Sequence, residues 1–543
     1  MARIVDVKRV YLYNCNSQKN HPMAATLFRI LLLVLSLLSG VIGHAQSTSK
    51  QKKDSRSSVL VDSLTNAPIP YASILIKNTQ QGVISNEEGA FSLNLPENIK
   101  PTDSILVSSM GYASRAYLIS EITDTLRIAS REIQLQGVIV SNKNLTAAEI
   151  VTQVQANLSK NHSQQLSSKR LFYRASETQY MNKMAVDFKK SSIGTLNKKF
   201  IDSIMDLIPR DGAYFTEVLA DIHGDYRQKD LKINLIKASN LYDKDNEVSF
   251  EGIEQKFDEI FEENIKKDSY LKIKSGWFST KVSSEDLFYE EAKIDSTDMA
   301  LLDSLATVKK ERELKRKKNF AQYRKNRIGR LFERLFFNED SPFDFLFKEN
   351  RYHIRLEDFT YLGEIPVYEL RFISKGRSDY NALMYVNAED FGVVRLDFKN
   401  SKILKKIKLL GFSYVDYLSE GKAFFTKIEG LGYQLSYLEE TSGEKVGIKR
   451  PIKIVEKNKN TRGRRKQNEL KVGIDFEINT QNKNEIVVFN HQALTKEAFT
   501  AITENNSVLP TYLPKYDPDF WEGYNIIEPN KAIKNFAAQS ERK

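Results

Sequence analysis

The chain is predicted to be mostly β with α+β character: an N-terminal seven-stranded β-sandwich, then a larger antiparallel, curved-sheet α+β domain carrying a charged helical insertion. Three observations carry this prediction. From Val59 to Val140, short runs rich in β-branched and aromatic residues are separated by Pro, Asn and Gly turns. From Tyr352 onward, longer runs alternate apolar with polar residues. Between them lies Asp298–Phe337, where Lys309–Lys318 is charged at every position except Leu314.

Residues 1–45 read as a signal peptide. Arg29 precedes an apolar run from Ile30 to Ile42, and Gly43-His-Ala45 supplies small residues for cleavage before Gln46. The run is too short to span a bilayer as a permanent anchor. Met23-Ala-Ala-Thr-Leu-Phe-Arg29 has the form of a normal signal start, so Met23 is the expected first residue. The single cysteine, Cys15, precedes the apolar run and is not the lipidated residue of a lipoprotein signal. The processed chain therefore has no disulfide and no thiolate metal site, and its stability must come from its cores.

Without its first 45 residues the chain has 76 Lys+Arg against 69 Asp+Glu, a net charge of +7. That excess is too mild for a nucleic-acid footprint, so no nucleic-acid partner is expected. Oligomeric state is left open.

Residues 46–58, rich in Ser, Lys and Gln, are expected to be a flexible leader. The sandwich is placed at 59–141, with candidate strands at Val59–Val61, Ala72–Ile76, Gly82–Ile84, Ala90–Leu93, Ser104–Val107, Ala116–Leu118, Leu126–Ile128 and Ile133–Val140. Asp62, Ala67-Pro-Ile-Pro-Tyr-Ala-Ser73, Gly82, Ser85-Asn-Glu-Glu-Gly-Ala-Phe-Ser-Leu93 and Ser108-Ser-Met-Gly-Tyr112 resemble the carboxypeptidase-regulatory-like domain. That family is a transthyretin-like β-sandwich at the front of many exported bacterial proteins. The chain departs from its pattern at Ser58, where a glycine is usual, and at Lys77-Asn78, near the common Gly-Thr. In Asn86-Glu-Glu-Gly89 the residues offer too few oxygens for a calcium loop, and Gly89 is expected to form a left-handed turn.

A junction helix and linker are expected over 142–170. Thr146-Ala-Ala-Glu149 is a capping box, Ile150, Val151, Val154 and Leu158 recur at helical spacing, and Asn161–Ser168 reads as a polar linker. Residues 171–543 form the larger domain. Its clearest part is a meander at Tyr352–Leu356, Val367–Phe372, Ala382–Val386 and Gly392–Phe398, extended by Phe412–Tyr417, Ala423–Ile428, Gln434–Leu438 and Leu470–Ile478. The succession is similar to the curved sheets of exported lipid and lipoprotein carriers. The insertion, about 298–337, is expected to be a solvated helical arm, with a face for anionic lipid as the alternative. The tail around Phe520, Trp521 and Tyr524 resembles tails of exported proteins that join this sandwich to an uncharacterised β-rich domain.

Catalytic motifs are missing. No His-x-x-Glu follows His162, His223, His353 or His491, and there is no Gly-x-Ser-x-Gly elbow or phosphate-cradling loop. No catalytic, cofactor-binding or metal-ligating residue is assigned. Six triplets, Asp62-Ser-Leu, Asp103-Ser-Ile, Asp124-Thr-Leu, Asp202-Ser-Ile, Asp295-Ser-Thr and Asp303-Ser-Leu, resemble an O-glycosylation pattern of exported Gram-negative proteins.

The expected function is that of a non-catalytic protein of the periplasm or the periplasmic face of the outer membrane. Its C-terminal domain is expected to bind an envelope lipid, glycan or membrane-protein partner, with Phe520, Trp521, Tyr524, Arg324, Arg327 and Arg330 as candidate contact residues. The alternatives are an envelope hydrolase with an unrecognised carboxylate site and a component of an outer-membrane receptor system.

Overall fold

The computed structural model describes residues 55–79, 81–131, 145–227, 231–244, 256–257, 259–266, 268–283, 299–459, 465–505, 507–538 and 541, with the backbone alone for 299–313. The expected signal peptide, the Met23 start, the strand at Ile133–Val140 and the Asp295 triplet lie outside these residues.

Seven strands open the fold: β1 (Ser55–Asp62), β2 (Ser73–Ile76), β3 (Gly82–Ile84), β4 (Ala90–Asn94), β5 (Ser104–Ser108), β6 (Arg115–Leu118) and β7 (Thr125–Ile128). They make two sheets, β4-β1-β7 and β3-β2-β5-β6. Leu60, Ile74, Phe91, Leu93, Ile105, Val107 and Leu126 are buried together in one cluster. β1 starts inside the stretch expected to be a leader. Ser55–Ser58 pairs antiparallel with Phe91–Asn94, and backbone pairing orders this polar segment without apolar side chains.

Gly89 has φ +74, and a Cβ there would lie 2.5 Å from the Leu60 carbonyl oxygen. The Asn86 Oδ1 accepts from the amides of Glu88 and Ala90, which fixes the turn. Gly89→Ala is therefore expected to cost at least about 1–3 kcal/mol, read as an earlier thermal transition by circular dichroism.

The junction helix is α1 (Ala147–Asn161). Its capping box forms as expected: the Glu149 amide donates to Thr146 Oγ1 at 3.3 Å, and the Thr146 amide to Glu149 Oε2 at 2.8 Å. Ile150, Val151 and Val154, however, bury into the core of the larger domain instead of a junction with the sandwich. The expected polar linker is not solvated at its start. Asn161 donates to the Asp390 carbonyl, and His162 Nε2 accepts from the Val393 amide, so polar side chains stand there to satisfy buried backbone groups.

The remaining elements are β8 (Ser167–Ser191), α2 (Lys198–Leu207), β9 (Asp211–Gly224), β10 (Lys232–Tyr242), β11 (Ser269–Ser275), β12 (Phe278–Ser283), α3 (Met299–Glu333), β13 (Tyr352–Leu362), β14 (Ile365–Ser374), β15 (Tyr380–Asn387), β16 (Val393–Asn400), β17 (Lys405–Leu409), β18 (Phe412–Ile428), β19 (Gly432–Asn458), β20 (Lys466–Ala493), α4 (Lys496–Ala501) and β21 (Thr511–Leu513). The strands form one 14-stranded sheet along the path β13-β14-β15-β16-β18-β19-β20-β8-β9-β10-β21, with β11 and β12 added at β19 and β17 added at β18. The meander β13–β16 stands where its alternation predicts it. Phe412–Tyr417 and Ala423–Ile428 are one strand, β18, and β19 and β20 run to 27 and 28 residues.

The charged insertion folds as one 35-residue helix, α3. Its second half is not a solvated arm. Ala321, Ile328, Leu331 and Phe332, with Leu335, Phe336 and Phe337 beyond the helix, are buried in the main core against the sheet. Phe343 and Phe345 after the helix likewise pack inward, Phe343 against Tyr380 and Phe398 and Phe345 against Phe372, while Phe347 is exposed. Among the described residues no helix is long and apolar enough to cross a membrane.

Candidate functional site

β18, β19, β20 and β8 extend well past the part of the sheet that α3 covers. In Val446-Gly-Ile448-Lys-Arg450-Pro-Ile452-Lys-Ile454 the even positions are apolar apart from Arg450, and period-2 geometry puts them on one face. It is the helix-bearing face, because Glu440 of the same parity accepts from Arg334 at 3.1 Å. Cross-strand pairing lines up two apolar rows there. Leu409, Phe412, Ile448, Phe476 and Met184 make the first row. Ile407, Tyr414, Val446, Ile478 and Met181 make the second.

Neither row belongs to a buried cluster. Ile407, Leu409, Phe412 and Val446 are exposed, and the residues toward β8 are half-buried. On the side nearer α3 the next row is polar: Lys405, Asp416, Glu444, Thr480 and Gln179. Here the Tyr414 hydroxyl donates to Glu444 at 3.0 Å. The Asp416 carboxyl is held above its ordinary range by partial burial and then by Glu444, with Arg334 and Lys405 acting in the opposite sense. On the other side, Val186, Phe188, Ile454 and Leu470 pack, partly buried, against a small core that contains Ile201 of α2 with Ile260 and Ile265. An apolar surface about two rows deep is thus left open between a polar border and a small core. It can take an apolar chain along the rows with a polar group at Asp416 and Glu444.

The expected contact residues sit elsewhere. Trp521 is buried, and its Nε1 donates to Glu217 at 2.6 Å. Phe520 and Tyr524 are half-buried around Lys237, whose ammonium lies 4.1 Å from the Phe520 ring centre. The tail is docked, not displayed. Arg324 and Arg327, half-buried on α3, reach Thr216 at 3.5 Å and Asn484 at 3.2 Å, and Arg330 is half-buried on the last turn. The structure does not bring the aromatic and basic groups together.

Instead, the tail completes a buried ionic network. Arg174 donates to Glu217 at 2.8 Å and to the Ile527 carbonyl at 2.7 Å, with Glu485 at 3.9 Å. Tyr71 of the sandwich donates to Glu439 at 3.2 Å, Lys483 bonds Glu87 and Glu439, and Asn86 donates to the carbonyls of Glu528 and Pro529. The four histidines remain scattered. His162 and His491 are buried, with burial pushing them down to about 3 and about 4, and His353 is exposed. The fully buried Lys169 is pushed down by burial to about 7 and donates to Ser167 Oγ and the Gly224 carbonyl. Among the described residues no group of three or more His, Cys, Asp or Glu is placed to hold a metal ion.

The alternation at Val446–Ile454 and the run Ile407, Leu409 and Phe412 are the sequence signals of these rows, and sequence reasoning did not join them.

No curated protein matches the chain. The crystal structure of a LolA superfamily protein from Nitrosomonas europaea aligns at 10% identity over 65% of this chain and 97% of that one, with a TM-score of 0.15, too low to establish a shared fold. At the front of the chain the match is direct: residues 58–140 fit the family described as CarboxypepD_reg-like domain, and the two-sheet sandwich built on β1–β7 is that domain.

Proposed function

We propose that the protein is a non-catalytic component of the cell envelope, exported by its N-terminal signal, whose large sheet binds an amphipathic lipid-like molecule on the open apolar rows. The single observation behind this reading is the pair of cross-strand rows ending at Leu409 and Ile407, uncovered among the described residues on a sheet most of whose apolar side chains gather in buried clusters. The family of the sandwich and the apolar run at Ile30–Ile42 support an exported, modular protein. The buried carboxylates Glu217, Glu439, Glu440 and Glu469 each face an Arg or Lys, which suits structural ion pairs better than acid–base work.

Titration with a fluorescent fatty acid such as parinaric acid tests the reading. Saturable enhancement is expected, and the Val446→Lys/Ile448→Lys double variant should weaken it at least about tenfold, since two ammonium groups would have to be desolvated against an apolar chain. Equal binding by the variant, or none by the folded protein, overturns it.

A further inference from the structure

The strand β19 changes partner along one edge. It pairs with β18 up to Ile448 and with β11 from Lys453. Pro451 lies in the gap, where a residue without an N–H interrupts no bond to either neighbour. The β17–β18 turn and the β11–β12 turn therefore face each other end to end, and Arg450 ties them. Its guanidinium donates to Ser275 Oγ at 2.6 Å and to the carbonyls of Ser275 and Leu410, and lies 5.1 Å from the Phe278 ring centre and 5.6 Å from that of Phe412.

What these turns carry is unusual for their geometry. The two-residue connection Leu410–Gly411 has both residues at positive φ, 49 and 84, a turn that favours Asn-Gly or Asp-Gly. Leucine in that conformation is sterically unfavourable, and its side chain is 56% exposed. Opposite, Gly276 takes φ +60 and Trp277 follows it with its side chain fully exposed. Exposed Leu409, Phe278 and Phe412 adjoin them. Neither turn needs these side chains to form, and neither buries them.

The charge on the two hairpins themselves has one sign, although Lys405 at the far end of its strand faces Asp416. Ser269–Ser283 and Ile403–Tyr414 together contain Lys272, Lys274, Lys281, Lys405, Lys406 and Lys408 and not one carboxylate. Lys449 beside them is paired with Asp475 at 2.9 Å. We propose that the two hairpin turns joined by Arg450 form a tip that docks on an anionic lipid bilayer, Trp277 and Leu410 entering the headgroup boundary while Lys272, Lys274, Lys281, Lys406 and Lys408 face lipid phosphates. Trp at the interface and lysines on its polar rim are the chemistry of such a surface. This docking does not depend on the apolar rows holding a ligand.

The experiment is sedimentation of the full chain with vesicles of equal parts phosphatidylglycerol and phosphatidylethanolamine, beside vesicles of phosphatidylcholine. The chain has two tryptophans and Trp521 is buried, so the emission that shifts to the blue reports Trp277. Binding to the anionic vesicles that weakens with salt is expected, with little binding to phosphatidylcholine. Replacing Lys406 and Lys408 by Gln should lower the partition coefficient roughly fivefold for each lysine. Trp277→Ser/Leu410→Ser should abolish vesicle binding while leaving parinaric acid binding intact, which separates this tip from the apolar rows. Lys315→Gln/Lys318→Gln on α3 should change nothing. No binding of the folded protein to anionic vesicles at low salt, or equal binding by the hairpin variants, overturns the proposal.

Discussion

Arg174→Leu is expected to destabilise the protein by about 3–5 kcal/mol, the cost of leaving a buried carboxylate without its cation. Arg174 is 1% exposed and Glu217 2%. Without the guanidinium, Glu217 keeps the Trp521 indole N–H and the Ser239 hydroxyl as donors, but its charge is uncompensated and Glu485 loses a counter-ion. The Ile527 carbonyl also loses its donor. Urea unfolding followed by Trp521 fluorescence in a Trp277→Phe background measures the effect where it acts, and limited proteolysis should cut the tail near Ile527 before the rest. The double variant Arg174→Leu/Glu217→Leu should recover part of the loss, since removing both members of a buried pair costs less than orphaning one. A loss below about 1 kcal/mol in the single variant would mean that the pair contributes little.

Acid is expected to loosen the main core through His162. The ring is fully enclosed by Phe336, Phe337, Phe425 and Tyr433, with centroid distances of 5.0, 5.5, 5.2 and 5.6 Å. Burial pushes it down to about 3, with Asp390 acting weakly the other way. Because the folded value lies below the ordinary one of 6.5, stability is complete above 6.5 and is lost as pH falls toward 3. At about pH 5 this single group removes about 2 kcal/mol. His491, pushed down to about 4, adds a loss of the same sign. His162→Phe should cost stability at neutral pH, because the Val393 amide loses its acceptor, yet flatten the acid limb of a urea-midpoint profile between about pH 7 and pH 5. An unchanged slope would place the acid sensitivity elsewhere.

The parts of the fold set by local chemistry were legible. Turn residues at Asn66, Pro68, Asn78, Gly89 and Gly111 and the Thr146–Glu149 box have a meaning that does not depend on distant neighbours, and the strands and helix beside them stand where they were expected. The length of the large strands was not. β19 crosses from core to solvent along its length, and its pattern is broken by Glu439-Glu440 and Ser442–Glu444, which pair with Lys and Arg or face the open sheet. α3 misled for the opposite reason. Its basic residues read as a solvated face, but Arg334 just past its end bonds Glu440, Tyr380 and Ser419 while Ile328, Leu331 and Phe332 fill the core, so only the long-range partners disclose its inner side. The candidate site was illegible as a unit, because its rows join residues from Met181 to Ile478 that only the strand register brings together.

The bonds from Asn86 and Asn94 to the segment Tyr524–Pro529 span more than four hundred residues of chain. The sandwich can fold as soon as its own strands exist and can meet β13 through the Gly111 amide on the Tyr361 carbonyl and Arg131 on Glu364, but its bonds to the tail wait until synthesis has passed Pro529. For a chain read from its N-terminus, this makes the locking of the first domain by the tail a late event, closed over a very large sequence separation. Until then, the part of Phe172 that Trp521 covers is open, and whatever protects nascent chains must shield that surface.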